Sequence, residues 1–357
     1  MNPVAKKNGN GLIRTLVVDD APLMRRAIQQ ILRNQDDIEI VGTATNGREC
    51  LEKIPSLNPD VVTLDIDMPV MNGITAIKNI MVRHQIPIVI ISSLVQDGYF
   101  AFESLRLGVV DFVPKPSRVG GESWADEEAL VRTRVKVASG MQVHRMRRVR
   151  RTRKVQRPTP VVGANCPVVV IGTNLAGPNT IMHIVTQLPV DFPAAVLAVQ
   201  EIHPRVLVPF CSYFNNISPL DVVPINGPTP LSPGRIYIGS TCSGIAIENS
   251  GAASAPLTVR STQPSENPID RLFESAAHHL GENVCGILLT GIGTDGARGM
   301  SDIRSHGGLT IAQLQDCCVY PNLVENAIKQ DVVDLVMSNA GIADRLKVWA
   351  VGSVQAT

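Results

Sequence analysis

Residues 61–73 read VVTLDIDMPVMNG: a β-branched run delivers Asp65 to the end of a strand, and the turn residues Pro69, Asn72 and Gly73 follow at once. A carboxylate so placed suits phosphorylation chemistry, although alone it would equally suit a strand-to-helix loop whose acids simply face water. Three further segments bear on the choice. Residues 16–20 (LVVDD) are a second apolar run ending in two acids, Asp19 and Asp20; residues 86–91 end in Ser92; residues 110–113 pass through Phe112 into Lys115 and Pro116. Four apolar runs thus end in acid, acid, hydroxyl and amine. Continuous apolar runs are the signature of parallel strands buried on both faces, and in an open α/β sheet their carboxyl ends share the crevice where ligands bind.

Such a crevice has definite chemistry. Clustered carboxylates hold a hard divalent cation, and Mg2+ prefers a few carboxylates plus water and phosphate oxygens. The cation would neutralise an incoming phosphoryl group while Asp65 attacks phosphorus to give an aspartyl phosphate. Lys115 would set a point positive charge, and Ser92 a hydroxyl, beside the new phosphate. The four strand tips therefore predict a phosphorylation switch.

From residue 12 to about residue 141 short β-branched runs alternate with amphipathic segments five times, which predicts a parallel sheet covered on both faces within ~120 residues. The basic run 145–157 follows, with eight Arg or Lys in thirteen residues, and Pro158, Thr159 and Pro160 then block helix continuation. This reads as a solvated tether, with docking to an acidic partner as the sharper alternative. From Pro167 a second α/β pattern begins. VVVIG leads into a turn and a helix ending near Leu188, and AAVLAVQ ends at Glu201. Short strands near Val222, Ile236, Ile245 and Val259 suggest a hairpin-bearing insert. A proline-opened helix covers 268–280, and a strand with a glycine-rich turn reads CGILLTGIGTDG.

Composition narrows the function. The chain has 357 residues, enough for two or three domains, and its formal net charge of +1 excludes a globally basic nucleic-acid binder. No aromatic residue interrupts the basic run, so base stacking is poorly supported and nucleic acid is not an expected partner. No apolar stretch approaches the ~18 residues of a membrane span, and no export signal is visible, which predicts a cytoplasmic protein without membrane insertion. Seven scattered cysteines lack metal-site spacing and read as reduced core residues.

With these motifs in place, the first half resembles a response-regulator receiver domain: Asp19 and Asp20, Asp65 in LDIDMPVMNG, Ser92 and the segment 112–116 all match. The resemblance implies a flavodoxin-like fold with Asp65 as phosphoacceptor. It also implies Mg2+ on Asp20, Asp65 and the Asp67 backbone carbonyl with Asp19 in support, Ser92 and Lys115 as phosphate sensors, and Phe112 as a switch aromatic. The second half is similar to the protein-glutamate methylesterase family of chemotaxis, through residues 172–177, the Gln200 loop, LLTGIGTDGARGM at 288–300 and TIAQ at 310–313. That similarity implies a doubly wound effector domain with a hairpin insert, needing no cofactor. It would hydrolyse γ-glutamyl methyl esters or deamidate glutamines on methyl-accepting chemoreceptors, under a chemotaxis-type sensor histidine kinase. The expected organisation is a flexible 1–11, a receiver at 12–141, a linker at 142–166 and an effector at 167–357.

The effector departs from the family pattern where hydrolysis needs it. Asn174 stands at the nucleophilic serine and Glu201 at the basic histidine; only Asp295 of the Ser-His-Asp triad is retained. A carboxamide nitrogen is a poor acyl acceptor because its lone pair is delocalised. Loss of nucleophile or base typically costs ~10⁶ in turnover. A shifted pair, Thr173 with His203, is conceivable but displaced by one and two residues. Three functions follow from these residues: a methylesterase and deamidase using substitutes, a phospho-gated binding module without catalysis, or a phosphate sink in a two-component pathway.

Overall fold

The computed structural model describes residues 11–33, 35–93, 98–109, 111–115, 124–146, 149, 166–249 and 257–355. The chain divides into two compact units, Met1–His144 and Arg145–Thr357. Within 142–166, most of the basic run and Pro158, Thr159 and Pro160 lie outside the described residues, as do residues 1–10.

In the amino-terminal unit, strands β1 (Ile13–Val18), β2 (Ile38–Ala44), β3 (Val61–Leu64), β4 (Ile88–Ser92) and β5 (Asp111–Pro114) alternate with helices α1 (Pro22–Arg33), α2 (Gly47–Leu57), α3 (Gly73–Arg83), α4 (Gly98–Leu107) and α5 (Trp124–Ser139). The five strands form a parallel sheet in the order β2-β1-β3-β4-β5. Every residue of β3 and β4 is buried, which is why these strands read as unbroken apolar runs. Register then sets the site: Val18 lies opposite Leu64, and Ser92 opposite Pro114, so Asp19, Asp65 and Lys115 all emerge at one sheet edge.

The turn after β3 is tightly built. Met71 donates its N–H to the Pro69 carbonyl at 2.7 Å with Val70 between them at φ 67°, a γ-turn that a β-branched residue rarely enters. Asn72 then caps α3 by accepting the Thr75 N–H at 3.0 Å. Gly73 donates to the Ile66 carbonyl at 2.8 Å, and a Cβ there would lie 2.5 Å from the Asp65 carbonyl oxygen and 2.6 Å from Ile66 Cα.

In the carboxy-terminal unit, β6 (Val168–Gly172), β7 (Ala195–Gln200), β8 (Asp221–Pro224), β10 (Arg235–Ser240), β13 (Val284–Leu288), β14 (Leu309–Gln313) and β15 (Leu335–Met337) form a parallel sheet ordered β15-β14-β13-β6-β7-β10-β8. A small antiparallel sheet joins β9 (Thr229–Pro230), β11 (Gly244–Glu248) and β12 (Thr258–Thr262). The hairpin expected in the insert is β11–β12. The strands near Val222 and Ile236 instead extend the main sheet, since β10 pairs with β7 and β8 in parallel. Helices α8 (Pro268–Leu280), α9 (Ala297–Ser305) and α10 (Asn322–Lys329) bury Leu272, Phe273, Met300 and Leu323 with the small sheet in one core. Helices α6 (Gly177–Val185), α7 (Pro204–Asn215) and α11 (Asn339–Gln355) complete the unit.

Two expectations need correction here. Arg145, first of the basic run, is not a solvated tether residue: its guanidinium donates to the carbonyls of Gln315 at 2.8 Å and Cys318 at 3.2 Å. The cysteines are all free, but they are not uniformly core: Cys50, Cys211, Cys285 and Cys318 are buried while Cys242 is exposed. Burial pushes the Cys50 and Cys318 thiols up to about 12.

The Gly73 contacts are with backbone, which cannot yield as a side chain would. Gly73→Ala is therefore expected to destabilise the amino-terminal unit by about 1–3 kcal/mol, read as a lowered denaturation midpoint with an unchanged slope.

Candidate functional site

The carboxyl edge of the first sheet gathers the residues named from sequence. Asp19 is fully buried and Asp65 3% exposed, whereas Asp20 and Asp67 face solvent. One carboxylate oxygen from each of Asp19, Asp20 and Asp65 falls within 4.8 Å of the others. Lys115 Nζ lies 2.6 Å from Asp65 Oδ2 as a hydrogen bond and 2.8 Å from Asp19 Oδ2 as an ion-pair contact without aligned hydrogen-bond geometry. Ile66 donates its N–H to Asp65 Oδ1 at 2.7 Å, fixing the rotation of that carboxylate so that Oδ2 meets the amine.

The electrostatics follow from burial and proximity. Burial pushes the Asp19 carboxyl up; the Lys115 ammonium pulls it back, and Asp65 adds to the rise. Burial alone would pull Lys115 down, but the two carboxylates outweigh it and hold the ammonium above its ordinary value. Among the described residues, two carboxylates and a third at the rim outnumber the Lys115 ammonium that faces them. That excess, with one oxygen of each acid within reach of the others, fits a small divalent cation on Asp19, Asp20 and Asp65.

Ser92 is buried at the end of β4, and its carbonyl accepts the Lys115 N–H at 3.2 Å, so the hydroxyl-bearing and amine-bearing residues are tied through backbone. Phe112 is buried on β5, opposite Ile90. Sequence reasoning missed Arg25, whose guanidinium donates to the carbonyls of Asp19 at 2.7 Å and Asp20 at 2.8 Å and so pins the acidic loop to α1. No spacing rule singles out this arginine among the others of α1.

The carboxyl edge of the second sheet has a different character. Asn174, two residues past β6, donates from Nδ2 to the Ile292 carbonyl at 2.8 Å, while its Oδ1 accepts from Leu175 N–H at 2.7 Å and Ile292 N–H at 2.9 Å. The side chain therefore pins the loop after β6 to the loop after β13. The reverse amide orientation would set an NH2 group against two N–H donors, so the network fixes it. Glu201 follows β7 and is half-buried. Its neighbour Gln200 is fully buried, and neither atom of its carboxamide has a hydrogen-bond partner among the described residues.

Asp295 does not wait for an imidazole. Its two oxygens accept the N–H groups of Ile269 and Asp270, each at 2.9 Å, and so cap α8 from another loop. Pro268 occupies the first position of that helix and has no N–H to satisfy, so these two are the next donors in line. Burial pushes the Asp295 carboxyl up despite these donors, and the Asp270 charge adds to the rise. The shifted pair is not assembled either. Thr173 is buried with its hydroxyl donated to the Thr290 carbonyl at 2.6 Å, and His203 Nδ1 accepts the Arg205 N–H as the cap of α7. Burial, with the Arg205 charge beside it, pulls His203 down.

Comparison with known proteins matches both halves. The CheB methylesterase family model matches residues 169–346, and the response regulator receiver domain model matches residues 15–120. A protein-glutamate methylesterase/protein-glutamine glutaminase of Caldanaerobacter subterraneus subsp. tengcongensis is 37% identical over 351 residues, covering 94% of this chain and 95% of its own. One of Methanococcoides burtonii is 34% identical over 339 residues, covering 91% and 94% respectively. Among solved structures, the CheB methylesterase catalytic domain of Thermotoga maritima is 24% identical and covers 51% of this chain and 98% of its own, with a TM-score of 0.48.

Because Asp295 caps α8, Asp295→Ala is expected to lower the stability of the carboxy-terminal unit by about 0.5–2 kcal/mol, and Asp295→Asn by less, since one acceptor oxygen survives. Because burial raises this carboxyl, its contribution depends on pH. The folded state holds this proton more tightly than the unfolded state, so the contribution is most favourable below the ordinary carboxylate value and declines as pH rises through the raised one. Denaturation midpoints of wild type and Asp295→Asn, measured across that window, should diverge in that sense.

Proposed function

The chain belongs to the CheB-type protein-glutamate methylesterase/protein-glutamine glutaminase family of chemotaxis response regulators, and from that premise we propose that it is a phosphorylation-controlled member whose effector unit binds its target without serine-triad hydrolysis. The observation that carries this reading is the state of the Asn174 side chain: three of its four hydrogen-bonding positions are committed to Leu175 and Ile292, while Glu201 stands where a basic imidazole is needed.

On this reading Asp65 is the phosphoacceptor. Its Oδ1 is held by the Ile66 N–H, which leaves Oδ2, now bonded to the Lys115 ammonium, as the oxygen to be phosphorylated. Asp19, Asp20 and Asp65, with the Asp67 backbone carbonyl, would hold Mg2+, which supplies charge neutralisation for the phosphoryl group. Once Oδ2 carries phosphorus it no longer accepts from Lys115 as a carboxylate, and the amine turns to a phosphate oxygen, with Ser92 contributing its hydroxyl to another. Phe112, buried on the same strand as Pro114, is placed to feel the displacement. The expected partners are a chemotaxis-type sensor histidine kinase as phosphodonor and a methyl-accepting chemoreceptor as the bound target.

The chemistry of the effector can be sized. Removing nucleophile and base together costs about 10⁶ in turnover because the two act as a unit. Retaining Asp295 recovers nothing without an imidazole for it to orient, and Glu201 stands at that position.

Full-length protein incubated with acetyl phosphate and Mg2+ should incorporate phosphate, and Asp65→Asn should abolish incorporation. Under the same conditions the wild type should capture methylated chemoreceptor in a phosphorylation-dependent way yet release no methanol above background. The double variant Asn174→Ser/Glu201→His should gain measurable release. Methanol production by the wild type would overturn the non-hydrolytic reading, and phosphorylation without receptor capture would turn it toward a phosphate sink.

A further inference from the structure

Beside the family's nucleophile position, two backbone N–H groups converge on one side-chain oxygen. Leu175 and Ile292 lie on different loops, after β6 and β13, yet both donate to Asn174 Oδ1, at 2.7 and 2.9 Å. Two donors within 3 Å of a single sp² oxygen is the arrangement that stabilises the oxygen of an acyl group as it gains charge. We propose that the Leu175 and Ile292 amides form a complete two-donor oxyanion site which the Asn174 carboxamide oxygen occupies from within the chain, so that removing this side chain opens the site to a small carboxylate.

Each donor loop also has anchors other than the Asn174 side chain. On the Ile292 side, Gly291 donates to the Tyr320 carbonyl at 2.9 Å and its own carbonyl accepts from Leu323 at 3.1 Å. Thr290 anchors the same loop, its hydroxyl accepting the Tyr320 N–H at 2.9 Å and its carbonyl accepting the Thr173 hydroxyl at 2.6 Å. On the Leu175 side, Gly177 donates to the Asn174 backbone carbonyl at 3.1 Å. Glycine at 291 leaves the room the oxygen needs, since a Cβ there would lie 2.2 Å from Asn174 Oδ1. Framework and space therefore rest on more than the carboxamide that fills them.

Competition explains why the site is closed in the native chain. An intramolecular carbonyl acts at an effective concentration far above that of any free ligand, and Nδ2 adds its own bond to the Ile292 carbonyl. A carboxylate would bond more strongly to the same donors because it is charged, but only once the resident oxygen is gone. The residual rate that an unoccupied oxyanion site contributes, about 10³ over water, is excluded by the same atom.

The inference rests on the same side chain as the proposed function but fails separately from it, because acetate binding tests the donors and methanol release tests the chemistry. Full-length Asn174→Gly, shown to be folded by its thermal transition, is titrated with sodium acetate against sodium chloride at equal ionic strength, following the backbone amide resonances of Leu175 and Ile292. Both should shift saturably in the variant. Wild type and Asn174→Asp, which keeps an oxygen in place, should bind at least about tenfold more weakly. No response at either amide in the folded glycine variant, or an equal response in wild type, overturns the proposal. A second readout needs no variant: in wild type the Leu175 and Ile292 amides should exchange with solvent at least about tenfold more slowly than that of exposed Gly293, and equal rates would overturn the proposal too.

Discussion

A single ammonium group faces two buried carboxylates at the edge of the first sheet, and the construction of that unit serves to keep it there. Asp19 and Asp65 are brought side by side by the β1–β3 register, and Lys115 reaches both from the end of β5. Removing either acid from water is costly unless a cation lies close by, so the amine stabilises the edge. Everything around the three groups limits their freedom: Ile66 fixes one oxygen of Asp65, Arg25 holds the carbonyls of the acidic loop, and the Ser92 carbonyl holds the Lys115 backbone. A group transferred to Asp65 Oδ2 must displace an existing partner. Local chemistry is thereby converted into a change of hydrogen bonding.

The second unit uses the same type of sheet edge in the opposite way. At the first edge charge is concentrated and partly uncompensated; at the second, the polar side chains of Asn174, Thr173 and Asp295 are each satisfied by backbone groups of neighbouring loops. Such cross-links stabilise a crevice by tying its loops together. Gln200 is the exception, buried with both carboxamide atoms unpartnered among the described residues. Buried amides without partners are uncommon because each costs about 1–3 kcal/mol of desolvation, so the edge of β7 is where the unit is least reconciled to being purely structural.

Much of this was legible in the sequence, for reasons that can be named. The four strand tips announced themselves because buried parallel strands leave unbroken apolar runs, and polar residues are forced to their ends. The α8 helix was legible from Pro268 onward because proline at the first helical turn is a local signal. The assignment of Val222 and Ile236 to an insert failed because strand partnership is non-local: nothing within either run reveals that β10 lies beside β7. Likewise Asn174 could be recognised as a poor nucleophile from its chemistry alone, whereas its grip on Ile292 depends on the pairing of β6 with β13 across more than a hundred residues. Asp295 kept its identity while its observed bonds run to a helix terminus, and no motif carries that information. The Arg145 contacts were hidden for a simpler reason, since a charge run gives no sign of which member is anchored.

Cys242 lies in the turn between β10 and β11, where it is open to solvent, and its N–H is bonded to the Ser240 hydroxyl at 3.1 Å. Burial suppresses thiolate formation at Cys50, Cys211, Cys285 and Cys318. The native chain consequently offers an alkylating fluorophore an accessible attachment point in the loop that follows Ser240, itself in register with Gln200. A label there reports on that sheet edge once the half-buried Cys166 and Cys317 are accounted for.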